Sequence, residues 1–164
     1  MDVSGDELAG VADLFGGLTR AELGQALVEL AFRDGADRER QDFADDIDAA
    51  LADYFLVAVE REDSGADAAG DEGDELLVPG PVAFPELPDH ATDLPHIMDV
   101  EDRYVDRERV GEAAEERFRA DTARAVADED EERMAALLDV SYELEAWAPV
   151  ELGEARERLD NALA

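Results

Sequence analysis

The sequence predicts a mainly α-helical chain with a small β-hairpin: a winged-helix-like amino-terminal half plus a carboxy-terminal helical region. Three observations carry this. Two consecutive helix starts bear the same capping signature, the apolar period switches from helical to strand-like near Tyr54, and helical spacing returns after about Asp106. The predicted division is three helices plus hairpin in 1–80, a proline-rich connecting segment in 81–105, and a helical region packed on the first in 106–164.

The first helix opens at Ser4, three residues before Glu7, the spacing at which hydroxyl and carboxylate each satisfy a free backbone N–H. Val3 and Leu8 flank it as a hydrophobic staple, and Gly16-Gly17 stops it. Thr19 and Glu22 repeat the capping device, with Leu18 and Leu23 as the staple. Leu23, Ala26, Leu27, Leu30 and Ala31 then mark one face of a second helix ending near Asp34-Gly35. A third helix is expected to open at Asp37 and to present Phe43, Ile47, Ala50, Leu51 and Tyr54. Tyr54 to Val59 reads as a strand, and Glu75 to Val78 as its shorter partner, closed by Pro79-Gly80-Pro81. Between them lies a long, solvated, acid-rich tip. The order helix, helix, helix, hairpin is the winged-helix plan, although a three-helix bundle with an edge hairpin has the same order.

Residues 79–98 hold five of the six prolines and both histidines, a density that excludes a regular helix or central strand. Interleaved Val82, Phe84, Leu87, Leu94, Ile97 and Met98 predict a segment lying across the first domain rather than a free linker. A long helix is expected from Asp106, with Val105 and Val110 as its staple. A break at Asp128 to Asp130 and Pro149 separate two further helical stretches, carrying Met134, Leu137, Leu138, Leu144 and Trp147, then Leu152, Ala155, Leu159 and Leu163.

The 164 residues carry 46 acidic side chains and 14 arginines, with no lysine and no cysteine, for a net charge of −32. The charge is even: −11 over residues 1–60, −11 over 61–105 and −10 over 106–164. A disordered acidic tail or a nucleic-acid mimic would concentrate it. Charge spread over every folded element fits a protein adapted to molar salt, where the Debye length of about 3 Å screens self-repulsion. The composition is therefore read as that of a cytoplasmic, haloarchaeal protein that binds salt cations nonspecifically. Acidity of this origin is evidence neither against a nucleic-acid partner nor for a basic one. The lack of cysteine excludes disulfides, thiolate zinc sites and a cysteine nucleophile. The longest apolar run, Tyr54 to Val59, is far too short for a bilayer, so no membrane partner is expected. The acidic start, Met1-Asp-Val-Ser-Gly-Asp-Glu-Leu, is not expected to be a secretory or transit peptide.

Three stretches resemble known sequences: Val-Ala-Asp-Leu-Phe-Gly-Gly-Leu-Thr-Arg (11–20), Leu-Val-Pro-Gly-Pro-Val-Ala-Phe-Pro (77–85) and Leu-Glu-Ala-Trp-Ala-Pro-Val (144–150). They are similar to those of small haloarchaeal proteins that form a family of unknown function. The resemblance spans nearly the whole chain and implies no activity or site.

Arg33, Arg38, Arg40 and Gln41 gather between the second and third helices. In a winged helix the third helix enters the major groove amino end first, where arginine reads guanine and glutamine reads adenine. The competing reading is a solvated face, with Asp34, Asp37, Glu39 and Asp42 pairing with the arginines. His90 and His96, near Asp89, Asp93 and Asp99, have no metal-site spacing signature, and no metal or cofactor is expected. The acidic tip (Asp63, Asp67, Asp71, Asp74) lacks the ligand pattern of a calcium loop. Tyr104, Tyr142 and Trp147 belong most simply to the core. Tyr142 and Trp147 are the alternative anchors for a partner, on a surface that mixes arginines with acids.

No phosphate-cradling glycine loop and no nucleophile elbow is present. The leading expectation is a non-enzymatic, cytosolic interaction or adaptor module docking onto a protein partner. The first alternative is a winged-helix DNA-binding regulator, and the second a small metal-dependent enzyme centred on His90 and His96.

Overall fold

The computed structural model describes residues 3–60 and 75–164. Over the described residues the chain is mainly helical with one two-stranded antiparallel hairpin. It divides into two compact units, Met1–Val105 and Asp106–Ala164.

In the first unit, α1 (Gly5–Leu14) and α2 (Arg20–Arg33) open on the predicted capping boxes. The Glu7 N–H donates to Ser4 Oγ and the Ser4 N–H to Glu7 Oε1, both at 3.1 Å. Thr19 and Glu22 exchange the same bonds at 2.9 and 3.1 Å. The end of α2 is a Schellman closure through Gly35 at φ +83°, with the Ala36 N–H donating to the Ala31 carbonyl at 2.8 Å.

The third helix does not open at Asp37. A single 3₁₀ turn occupies Arg40–Phe43, and α3 runs over Ala44–Ala52. The Glu39 N–H donates to the Asp42 carboxylate at 2.8 Å, and the Asp42 N–H to the Glu39 carbonyl at 3.0 Å. This local bonding tightens the entry and competes with a regular helix. Tyr54 is not in a strand but in the left-handed region, φ +66°, closing α3 as a glycine ordinarily would. The Phe55 N–H then reaches the Ala50 carbonyl at 2.9 Å. β1 (Leu56–Glu60) pairs with β2 (Glu75–Pro79) in the register Leu56 to Pro79 and Glu60 to Glu75. The predicted acidic tip, including Asp63, Asp67, Asp71 and Asp74, lies outside the described residues.

One pairing had no counterpart in the sequence pattern. Leu18, between α1 and α2, forms a two-bond bridge with Leu77 of β2, at 3.1 and 2.7 Å. It adds a one-residue third strand beside β2. Phe15, Leu27, Phe43, Ile47 and Leu56 fill the core that these elements share.

The proline-rich segment belongs to this first unit, lies on α1 and reaches the start of α2 through Arg103 and Glu22. The Phe84 N–H donates to the Asp6 carboxylate at 2.9 Å, and the Glu86 N–H to the Asp6 carbonyl at 3.0 Å. Gly10 permits this contact, since a Cβ there would stand 2.0 Å from the Glu86 carbonyl oxygen. Gly16, at φ +78°, does the same for the Arg103 carbonyl at 1.6 Å. Two expectations fail in this segment. A regular, if short, helix is present: α4 (Leu94–Ile97) tolerates Pro95 in its first turn, where no intrahelical N–H is needed. Only part of the apolar set packs inward. Leu94 is buried and Val82 and Met98 are half-buried, whereas Phe84, Leu87 and Ile97 are exposed.

In the second unit, α5 (Arg107–Ala127), α6 (Glu131–Trp147) and α7 (Gly153–Leu163) enclose Val110, Phe118, Met134, Leu137, Leu144 and Leu159. Asp106 caps α5 by accepting from the Glu108 N–H at 3.1 Å. The turn into α6 is another Schellman closure, here through Glu129 at φ +54°. Among the described residues, no helix is long and apolar enough to cross a membrane.

Candidate functional site

A cleft of about 410 Å³ opens in the first unit between the start of α2 and the turn leading into α3. Ala21, Gly24, Ala44 and Ile47 line its apolar part, and Arg20, Glu39, Arg40 and Gln41 its polar part. Small residues on both helices leave the space, and the aliphatic stem of Arg40 covers Gly24, within 3.3 Å of where a Cβ would lie.

The four polar residues are held differently. Arg20 is the first residue of α2, where a cation opposes the helix dipole. Its guanidinium turns away to the Ala44 carbonyl at 3.1 Å and to the Asp48 carboxylate, tying α2 to α3. Gln41 donates one amide proton to Glu39 at 2.9 Å. Arg40 is exposed, and among the described residues its side chain has no ion-pair or hydrogen-bond partner.

Of the four predicted DNA contacts, the cleft brings together two, Arg40 and Gln41. Arg38 is elsewhere, 3.8 Å from Asp42 and with its guanidinium 5.0 Å above the Phe43 ring. Arg33 is exposed in the last turn of α2. The exposed positions of α3 are Asp45, Asp48 and Ala49, so that helix offers carboxylates and no cation to solvent. Sequence reasoning missed Arg20; an arginine at the electropositive end of a helix was the available signal.

Among the other candidates, Tyr142 is exposed, with Arg156 4.6 Å above its ring. Trp147 is half-buried and has Arg107 at 4.5 Å. One face of each ring is thus stacked by a cation of its own unit. Arg156 also bonds Glu145 at 2.5 Å, and Glu145 accepts the Leu152 N–H at 2.8 Å at the start of α7. The Arg156 bond holds the Glu145 carboxyl below its ordinary pKa and raises that of the guanidinium. His90 (φ +73°) precedes a 3₁₀ turn at Ala91–Asp93, and His96 lies on α4; both are exposed. Among the described residues, no three potential ligand side chains converge to hold a metal ion.

Also in the first unit, Arg103 is ion-paired with Glu22. Burial opposes ionisation of Glu22, but Arg103 and the Thr19 N–H outweigh it and hold the carboxyl below its ordinary value.

No curated protein and no solved structure matches the chain. A family model matches it over residues 6–164, covering both units and the cleft; the chain belongs to that family, described as a family of unknown function (DUF7109).

Proposed function

We propose that the chain is a non-enzymatic interaction module whose first unit presents the strip Phe84 to Leu87 to a protein partner. One observation carries this. The strip's backbone is pinned to α1 by both hydrogen bonds to Asp6 and by the Gly10 contact, yet Phe84 is 79% and Leu87 46% exposed. An apolar pair on a backbone already fixed loses little conformational entropy on docking, which is the condition for an efficient hot spot. Tyr142 and, less fully, Trp147 offer the second unit's aromatic surface to a partner, with the arginines above them as polar rim.

The habitat reading belongs to the same proposal: a cytoplasmic protein of a halophilic archaeon. It is supported by the even charge of −32 and by the absence of lysine.

A second reading, a DNA-binding regulator, is favoured by the Leu18–Leu77 bridge. A short strand between the first two helices, pairing beside the hairpin, fits a winged-helix plan. In that reading Arg40 and Gln41 are the contacts, with Arg38 and Arg33 flanking them. The aspartates on α3 weigh against it, because they would face phosphate.

Affinity capture at molar KCl, with and without nuclease, separates the two. A stoichiometric protein retained after nuclease supports the interaction module. A discrete DNA fraction that nuclease removes, with no protein left, replaces it by the regulator.

A further inference from the structure

The geometry points to a phosphate-binding seat in the cleft between α2 and the turn 39–43, with Arg40 as its cation and Gln41 as its hydrogen-bond donor. This is independent of the apolar strip and requires no protein partner.

The first ground is charge. Acidic side chains outnumber arginines 46 to 14, and the cleft nonetheless gathers two arginines, one carboxamide and one carboxylate. Arg20 is satisfied by Asp48 and the Ala44 carbonyl and acts as a wall. Among the described residues the Arg40 side chain has no hydrogen-bond or ion-pair partner, although Glu39 lines the same cleft. A guanidinium presents several N–H donors in a fixed fork, which suits the oxygens of a phosphate.

The second ground is space and donors. The cleft's 410 Å³ falls within the range of small-ligand sites. Glu39 takes one of the two Gln41 amide protons, which orients the carboxamide and leaves the other proton for a ligand. The stem of Arg40 lies against Gly24 and the residue lines the cleft, so its guanidinium is within reach of a ligand bound there.

Glu39 also sets the cost, since it lines the same cleft and its negative charge repels a bound anion. The seat therefore has a distinctive dependence on charge: removing Arg40 weakens it and neutralising Glu39 strengthens it. A merely structural role for these side chains gives no such opposition.

The test follows the amide resonances of Gly24, Gln41 and Ala44 by NMR in molar KCl, as inorganic phosphate replaces chloride at constant ionic strength. Wild type should show saturable shifts at these three amides. Arg40→Gln should raise the apparent Kd about tenfold, the loss of one charge-assisted contact. Gln41→Ala should also raise it, Glu39→Gln should lower it, and Arg158→Gln, at an exposed arginine of α7 in the second unit, should leave it unchanged. Shifts that never saturate, or that survive Arg40→Gln and Gln41→Ala in folded protein, overturn the proposal. A short DNA duplex then identifies the source. Displacement of inorganic phosphate by the duplex assigns the seat to a backbone phosphate, and no displacement assigns it to a free phosphorylated molecule.

Discussion

Arg103 and Glu22 form a two-pronged ion pair across 81 positions of sequence, with Nη1 to Oε1 at 2.5 Å and Nη2 to Oε2 at 3.0 Å. The same carboxylate accepts the Thr19 N–H that completes the α2 capping box, and the same guanidinium donates to the Gly17 carbonyl at 3.2 Å. One carboxylate thus starts a helix and fastens the end of the first unit to it. Both side chains are partly buried, Arg103 at 19% and Glu22 at 26% exposure, so solvent screens the pair less than a surface bridge.

Arg103→Ala should therefore destabilise the first unit by about 1–3 kcal/mol, the range for a hydrogen-bonded, partly buried charge left unpaired. Glu22→Ala should cost more than Arg103→Ala, because the cap is lost as well. A double-mutant cycle by thermal unfolding in molar KCl measures the coupling; additive single effects would show that the pair contributes nothing.

Glu22 also predicts a pH dependence. Its folded-state pKa is depressed, so its contribution is full above the ordinary carboxylate pKa of about 4.3 and is lost as pH falls through the lower folded value. Protonation of the other acids relieves repulsion over the same range, so the observable is the difference between wild type and Glu22→Gln. That difference should shrink as pH falls below 4.3 or so. A constant difference would show that the folded-state pKa is not depressed.

Gly10→Ala tests the seating of the strip. A Cβ 2.0 Å from the Glu86 carbonyl oxygen forces the segment off α1. The cost should be about 1–3 kcal/mol, as for other overpacked sites, with faster amide exchange at Phe84 and Glu86. Unchanged exchange would show that the segment is not held there.

Glu129→Gly should stabilise the second unit by about 1 kcal/mol, since an exposed non-glycine residue at φ +54° carries left-handed strain. Thermal unfolding reads it directly, and a loss of stability would contradict the closure assigned to this turn. Tyr54 is in the same conformation, but its buried ring is core, so glycine there should destabilise.

The legibility of these features follows from how local their causes are. The capping boxes of Ser4 and Thr19 could be read directly, because cap and partner are three residues apart. So could the hairpin and the break at Asp128 to Asp130. The opening of α3 was misplaced because the bonds between Glu39 and Asp42 select a 3₁₀ turn over a helix of the same composition. The Leu18–Leu77 bridge is a single pair, too short to leave an alternating pattern. The outward pose of Phe84 and Leu87 depends on Asp6 and Gly10, some 78 residues from the strip, and no period in a proline-rich segment shows which side faces solvent. In the cleft, Arg40 and Gln41 were visible as a cluster, whereas Arg20 joins them through its position at the start of α2.

The net charge of −32 predicts a salt-dependent fold. Far-UV circular dichroism should show full helix in molar KCl and substantial loss in dilute buffer, where the Debye length rises about tenfold and repulsion is no longer screened. A cooperative, stable fold without salt would contradict the halophilic reading.

The interaction module is tested most directly by paired affinity capture at molar KCl, comparing wild type with the double variant Phe84→Ser and Leu87→Ser. Both side chains are exposed, so the variant should unfold at the wild-type temperature. The account predicts that a nuclease-resistant, stoichiometric protein partner is retained by wild type and lost by the folded variant. Equal retention by both would contradict it.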